Sequence, residues 1–204
     1  MKNITTIVIA VLFTILFYAC KKESKVITEF KWVVDKNTFH YDKYTSAGIQ
    51  KDFRRFGIFR DDYRGYHFLE TFNPDSTVQR SYFSENIYGQ YVVKADGLYK
   101  LTRTDCGFDF FSVTFDALFA PNNPVLGQFV PVYYCKDNLY YNINIAAVDQ
   151  AISVPYGTFK TYIMQFKNGD KGYIDPNNGL IMYIAVDSFK RTVDTLKLSF
   201  VNKQ

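Results

Sequence analysis

The chain has 204 residues, a formal charge of +4, 48% hydrophobic residues and 22% charged residues. This composition excludes a disordered chain and an integral membrane protein with several spans. Lysines, arginines and acids are interspersed, so the sequence lacks the basic stripe of a nucleic-acid binder and we exclude nucleic acid as a partner.

Aromatic residues make up 19% of the chain, from 20 Phe, 17 Tyr and one Trp. Phe and Tyr favour pleated, half-buried surfaces over helices. The composition therefore predicts an all-β, mainly antiparallel fold.

The N-terminus has the pattern of a signal peptide. Lys2 precedes an uncharged, mainly apolar run from Ile4 to Ala19, which is shorter than the roughly 18 residues expected of a membrane-spanning helix. Phe17-Tyr18-Ala19-Cys20 resembles the lipobox of bacterial lipoproteins, whose cysteine carries acyl chains such as palmitate and becomes the mature N-terminus. The resemblance implies that Cys20 is the lipidation site. An ordinary signal peptide or an uncleaved anchor is the alternative.

These features divide the chain into a signal peptide (1–19), the lipidated cysteine with a short tether (20–26) and one β-rich domain (27–202). The tether from Lys21 to Val26 spans at most about 20 Å. By resemblance to lipoproteins of two-membrane bacteria, the absence of Asp after Cys20 implies the outer membrane, on its periplasmic or its surface face.

The domain reads as a series of short strands separated by turn residues, as in antiparallel β-structure. Ile27 to Val34 is the first expected strand, with Trp32 as a core or rim anchor. A strand ending near Tyr44 follows a turn at Asp35 to Asn37, and the polar connection from 45 to 52 is expected to hold a short helix. The further expected strands are Phe53–Arg60, Tyr66–Phe72, Thr77–Ser84, a hairpin over Val92–Arg103 turning at Asp96-Gly97, Phe108–Phe115, Phe129–Cys135 and Leu139–Val148.

A β-meander from Ser153 to Asp187 and a last strand from Thr195 to Val201 complete the domain. Pro155-Tyr156-Gly157 and Pro176 to Gly179 supply the turns of the meander. In the last strand, alternation predicts that Leu196, Leu198 and Phe200 share one face.

Within the meander, Val154-Pro155-Tyr156-Gly157-Thr158-Phe159, followed by Asn178-Gly179-Leu180-Ile181, resembles a pattern of β-rich bacterial envelope proteins. Those proteins are similar to the half-open barrels of the lipoprotein-localisation factors LolA and LolB. The resemblance implies a curved sheet or half-open barrel, with a β-sandwich as the alternative. Its concave face either holds a lipid or another apolar ligand, or is filled by its own Phe and Tyr side chains.

Residues with catalytic or metal-binding chemistry are few. His40 and His67 match no zinc-protease spacing, and no Gly-x-Ser-x-Gly elbow is present. Four carboxylates are candidates for a calcium site or a catalytic acid pair: Asp61, Asp62, Asp105 and Asp109. Their spacing matches no EF-hand loop, so we interpret them as solvated turn residues. We therefore expect no catalytic residue, no metal and no cofactor. A triad that uses one of the two histidines is the alternative to a surface or core role for them.

Two sets of surface-type residues offer binding instead. Four arginines lie within an aromatic stretch: Arg54, Arg55, Arg60 and Arg64. They either bind a phosphate or an acidic glycan, or form the polar outer face of a strand. Alternation places Phe53 with Arg55, and Arg54 with Phe56, on opposite faces. Four tyrosines either stack on sugars or are half-buried structural side chains: Tyr133, Tyr134, Tyr140 and Tyr141.

Once Cys20 is acylated, Cys106 and Cys135 are the remaining cysteines. An even pair in an exported domain predicts a disulfide, with two buried thiols as the alternative. The sequence thus favours a non-catalytic envelope lipoprotein that binds the membrane through its lipid, and a glycan- or lipid-acting hydrolase is the competing hypothesis.

Overall fold

The computed structural model describes residues 30–61, 65–72, 87, 89–104, 113–134, 139–187 and 192–203. These residues form twelve strands and no helix, so none of them belongs to a helix able to cross a bilayer. The strands are β1 (Thr38–Thr45), β2 (Gly48–Asp61), β3 (Gly65–Phe72), β4 (Gly89–Lys94), β5 (Gly97–Thr104), β6 (Val113–Pro121), β7 (Phe129–Tyr134), β8 (Leu139–Val154), β9 (Gly157–Gln165), β10 (Lys171–Asp175), β11 (Gly179–Asp187) and β12 (Thr192–Asn202).

The strands form one antiparallel sheet in the order β6-β5-β4-β3-β2-β1-β12-β11-β10-β9-β8-β7. Neighbours in the chain are neighbours in the sheet, and β1 pairs with β12, so the sheet curls into a nearly closed barrel. Its open seam lies between β6 and β7. The predicted all-β, antiparallel, half-open barrel is confirmed, and the sandwich alternative is wrong because the described strands form a single sheet.

A row of aromatic rings crosses the barrel interior and explains why so many Phe and Tyr residues are needed. Phe39 stacks on Phe56 at 4.8 Å between ring centroids, and Phe68 stacks on Tyr91 at 4.2 Å. Tyr91 continues the row to Phe119 in an edge-to-face contact. Such pairs add roughly 0.5–1.5 kcal/mol each beyond the free energy of burying their surface.

The structure corrects two expected elements. Residues 30–34 form turns, not a strand, and the expected helix at 45–52 is a tight turn at Ser46-Ala47 followed by the start of β2. In the turn, the Ala47 backbone N–H donates to Thr45 Oγ1. A two-residue turn between long strands leaves no room for a helix, since pairing already begins at Thr45 and Gly48.

The last strand contains a bulge that sequence alternation does not reveal. His40 pairs with Phe200 and Tyr41 pairs with Leu198, so Ser199 is the extra residue. A bulge reverses the faces beyond it. Leu196 and Leu198 are therefore buried as predicted, whereas the prediction for Phe200 is wrong because its side chain lies exposed on the outer face.

The other expected strands are found, with shifted ends, wherever the structure describes them, and the hairpin turns at Ala95-Asp96, Pro155-Tyr156 and Pro176 to Asn178 are confirmed. β8 is longer than expected because it runs on to Val154. The expected strand at 77–84 and the first part of the one at 108–115 lie outside the described residues.

The N-terminal segment Phe30–Asn37 closes one end of the barrel. Phe30, Trp32 and Val33 are buried there, and Trp32 contacts the rings of Phe39 and Phe68. Both ends of the described chain and the connections β4–β5, β6–β7, β8–β9 and β10–β11 lie at this end, because consecutive strands alternate in direction. We call it the tether end, and the prediction that Trp32 is a core anchor is confirmed.

The Trp32 ring packs directly on the backbone of Gly179. Gly179 has φ +92°, and a Cβ there would lie 2.9 Å from Trp32 Cδ2. This position therefore needs glycine both for its backbone angle and for the approach of the indole.

We predict that Gly179→Ala lowers the free energy of unfolding by about 2–4 kcal/mol, since backbone strain and overpacking add. Urea unfolding measures the loss, and Trp32 fluorescence should shift because the indole is displaced. Gly127→Ala is the matched control. Gly127 also has positive φ, at +77°, but no atom lies within 4 Å of its added Cβ, so only about 1 kcal/mol is expected. Equal losses in the two variants would contradict the close-packing argument.

Candidate functional site

The ladder between β11 and β12 stops before the tether end. Its last pair on that side is Met182 with Lys197, so β11 and β12 diverge beyond it. Two groups replace the missing ladder bonds: the Tyr156 N–H donates to Leu198 O at 3.1 Å, and Tyr41 Oη donates to Leu180 O at 2.7 Å. The divergence is therefore a hydrogen-bonded part of the fold.

A cleft of about 120 Å³ lies at this divergence. Aromatic rings, two valines, amides and two lysines share its lining, which comprises Lys31, Trp32, Val34, Asn37, Phe39, Tyr156, Asn177, Asn178, Val201 and Lys203. The two lysines come from the two ends of the described chain, so the cleft exists only when both ends are folded onto the barrel.

Two buried polar atoms of the cleft residues lack a hydrogen-bond partner: Trp32 Nε1 and Asn37 Oδ1. Their residues are only 5% and 3% exposed. The Asn37 amide nitrogen donates to Trp32 O at 3.2 Å, which leaves the carbonyl oxygen unsatisfied. Buried polar atoms nearly always have a partner, and one without a partner has a cost of about 1–3 kcal/mol. Because these two atoms have almost no exposed surface, a guest in the cleft would pair with them only after a small rotation of the side chains.

The opposite wall of the cleft is a rigid turn. Asp175 Oδ1 accepts hydrogen bonds from the backbone N–H groups of Asn177 and Asn178 and from the Asn178 side-chain amide, at 2.8, 3.0 and 3.1 Å. This Asx cap fixes both asparagines before β11 begins. Lys31 and Lys203 are the charged residues among those that line the cleft.

The cleft is smaller than the sites that hold whole lipids, which occupy roughly 300–1,000 Å³. The inward side chains of the described residues, meanwhile, pack into one hydrophobic cluster. The cleft therefore suits a small polar or anionic group, not an acyl chain.

His40 lies on the outer face in a second polar cluster. His40 Nδ1 is 3.0 Å from Asp52 Oδ1, and Arg55 holds the same carboxylate with two nitrogens. The hydrogen bond from Arg55 is the main cause that lowers the pKa of Asp52, and His40 adds to it. Ser199 Oγ donates to the His40 backbone O and not to its ring. This ion-pair network links β1 to β2 where the pairing of the two strands shifts register.

Among the residues that the structure describes, the two predicted histidines do not converge on a site. His67 lies on β3, separated from His40 by β2. No group of three or more His, Cys, Asp or Glu side chains among the described residues forms a metal site. Cys20, Arg64, Asp62, Asp105, Cys106, Asp109 and Cys135 lie outside the described residues, as do the side chains of Asp61, Tyr133, Tyr134, Tyr140 and Tyr141; their roles stay predictions.

Within the arginine stretch, Arg54 departs from both interpretations, whereas Arg60 is exposed, as on a polar outer face. Arg54 is fully buried, donates from Nη1 to Phe53 O and places its guanidinium 3.9 Å from the Phe53 ring centroid. Arg54 and Phe56 share the inner face as predicted, but Phe53 is buried too and does not join Arg55 outside. The cause is an irregularity at Asp52, whose φ is +46° and where the pairing with β1 shifts register.

An inward-facing lysine escaped the sequence analysis. Lys100 on β5 pairs in register with buried Tyr91, and its amine lies 5.9 Å from the Tyr91 ring centroid. Burial lowers the pKa of Lys100 to about 8. Alternation along β5 was the signal that could have predicted this orientation, because Lys100 lies two residues after the buried Leu98.

Comparison with known proteins leaves the family open. No protein-family model and no curated protein matches the chain. One solved structure is similar, that of a candidate lipoprotein from Parabacteroides distasonis, with a TM-score of 0.42 and 11% sequence identity over 86% of this chain and 99% of that chain.

We predict that Lys100→Met flattens the pH dependence of stability. A lysine whose folded pKa is about 8 and whose unfolded value is 10.5 binds fewer protons when folded. The free energy of unfolding therefore rises between about pH 8 and 10.5. Urea unfolding from pH 7 to 9.5 measures the slope below the range in which tyrosines ionise. Lys160→Met, at an exposed lysine paired with Asp149, should keep the parental slope. A parental slope in Lys100→Met would contradict the assignment.

Proposed function

We propose that the protein is a lipid-anchored, non-catalytic binding protein of the bacterial outer membrane, and that the tether-end cleft holds a small phosphate-bearing ligand. The observation that carries the proposal is the cleft itself, where two lysines stand beside two buried, unsatisfied polar atoms. Lysine ammonium groups are suited to phosphate, and the amide and indole groups are suited to neighbouring hydroxyls.

The anchor supports this choice of ligand. Cys20 lies ten residues before Phe30, which enters the barrel at the tether end. A chain of that length reaches about 33–36 Å when extended, so an acylated Cys20 keeps the cleft close to a surface of phosphate headgroups. A glycerol phosphate group matches both the charge of the cleft and its size.

The proposal includes no catalytic role. The described carboxylates that are buried or in contact with His40 serve as caps or ion pairs: Asp42 binds Lys51, Asp52 binds Arg55, and Asp175 caps the turn. Asp170 likewise accepts from Tyr183 Oη at 2.6 Å and from the Val186 N–H at 2.8 Å.

The anchor prediction concerns Cys20. Cys20→Ala should move the protein out of the membrane fraction, and globomycin, which blocks lipoprotein signal peptidase, should accumulate the precursor of the parent chain. Intact mass spectrometry of the purified protein should show acyl chains on a mature N-terminal cysteine. Cys106→Ala is the control and should remain in the membrane fraction. An unacylated parent chain would refute the anchor.

The ligand prediction uses the single tryptophan of the chain. Because the unsatisfied atoms are not exposed, binding requires a small rotation of Trp32, and its fluorescence should change with saturation as glycerol 3-phosphate is added to the full mature protein in detergent. Glycerol, which lacks the phosphate, should give no saturable change.

Matched lysine variants test the geometry of that site. Lys31→Gln and Lys203→Gln should each weaken binding of glycerol 3-phosphate by about tenfold, or about 1.4 kcal/mol, whereas Lys160→Gln removes the same charge from the barrel wall and should leave affinity unchanged. Equal weakening in all three variants would indicate a net-charge effect and refute the cleft as the site.

A further inference from the structure

The connection between β6 and β7 exposes three large apolar side chains. Val125 and Leu126 are 63% and 65% exposed, and Phe129, the first residue of β7, is 65% exposed. Single exposed apolar residues are common, but three within five positions form a local apolar surface of the kind that marks an interaction site. We call these three residues the apolar tip.

The apolar tip is held outward by a rigid turn. The Gln128 N–H donates to Val125 O at 2.9 Å, and Gly127, with φ +77°, takes the left-handed position that leaves Leu126 at the corner. The Gly127 N–H donates to Ile145 O at 2.9 Å, which ties the turn to β8. Asn122, buried at the base, donates from Nδ2 to Ala95 O at 2.7 Å. The turn cannot fold its apolar side chains back onto the barrel without breaking these bonds.

The apolar tip lies at the tether end, as the strand order requires. Val34 and Tyr156, 41% and 36% exposed, lie at the same end. Four exposed lysines of the described residues accompany them, namely Lys31, Lys36, Lys94 and Lys203, together with the carboxylates Asp35 and Asp96. Apolar side chains at the tip, aromatic rings beside them and lysines around them make the pattern of a surface that lies in a membrane interface.

We propose that the tether end docks on the bilayer to which the chain is anchored, with Val125 and Leu126 inserted among the lipids and Phe129 at the headgroup level. The inference rests on the proposed lipid anchor. It commits to a lipid surface because the chain that carries Cys20 enters at this end through a segment of ten residues, and because exposed lysines favour anionic headgroups. A partner protein on the same surface is the alternative outcome of the test.

Docking also orients the molecule. With the tip inserted, the cleft opens toward the headgroups and the β1–β2 and β9–β10 connections point away from the membrane. Lipid acylation alone would leave the barrel free to tumble on its tether.

A photo-crosslinking amino acid tests the contact in the full chain. We expect p-benzoylphenylalanine at Leu126 to yield, on irradiation of intact membranes, protein carrying one added phospholipid mass. The same residue at Val193, which is 56% exposed at the opposite end, should yield at least tenfold less. Trp32 fluorescence verifies folding, and Val125 serves as the second labelling position if the Leu126 variant is misfolded.

Three outcomes would overturn docking: no lipid adduct at position 126, equal lipid adducts at 126 and 193, or an adduct at 126 with a protein. The same mass spectra report acylation of Cys20 independently. An unacylated chain that still forms the lipid adduct at 126 refutes the anchor and keeps the docking surface, whereas an acylated chain without the adduct refutes docking alone.

Discussion

The divergence of β11 from β12 is the constraint on which the tether end of this barrel depends. In an antiparallel sheet, the backbone groups that face a neighbouring strand normally form hydrogen bonds with that strand. Here the carbonyl of Leu180 accepts from Tyr41 Oη instead, and the carbonyl of Leu198 accepts from the Tyr156 N–H. These substitutes let the sheet open without leaving buried carbonyls unsatisfied. The opening admits Trp32, which Gly179 can contact only because it lacks a side chain.

The two ends of the barrel are consequently different in chemistry. The tether end combines the N-terminal plug, the cleft with its lysines and the apolar tip. The long wall between the ends is held by packing inside and by ion pairs outside, such as Lys43 with Asp194 and Arg55 with Asp52. Such a division allows one end to face a partner surface while the rest provides stability.

Local sequence signals predicted the parts of this fold that depend on local chemistry. Asp96-Gly97 and Pro155-Tyr156-Gly157 determine hairpin turns through their backbone angles, and neighbouring strands then pair in chain order. The bulge at Ser199 and the register shift at Asp52 were not predictable, because each depends on which residue the partner strand places opposite. The cleft was not predictable either, since Tyr41 and Leu180 are 139 positions apart. Trp32 was recognised as an anchor, but alternation alone assigned its segment to a strand.

The pairing of β1 with β12 has a consequence for folding. Ser199 Oγ and His40 O lie 159 positions apart in the chain, whereas most other neighbouring strands form hairpins. Contacts of such high sequence separation form slowly because a long loop must close first. Before β12 pairs with it, β1 therefore keeps an open hydrogen-bonding edge, and open edges invite pairing with other chains. The eleven residues of β12, Thr192–Asn202, cover this edge when they pair with β1.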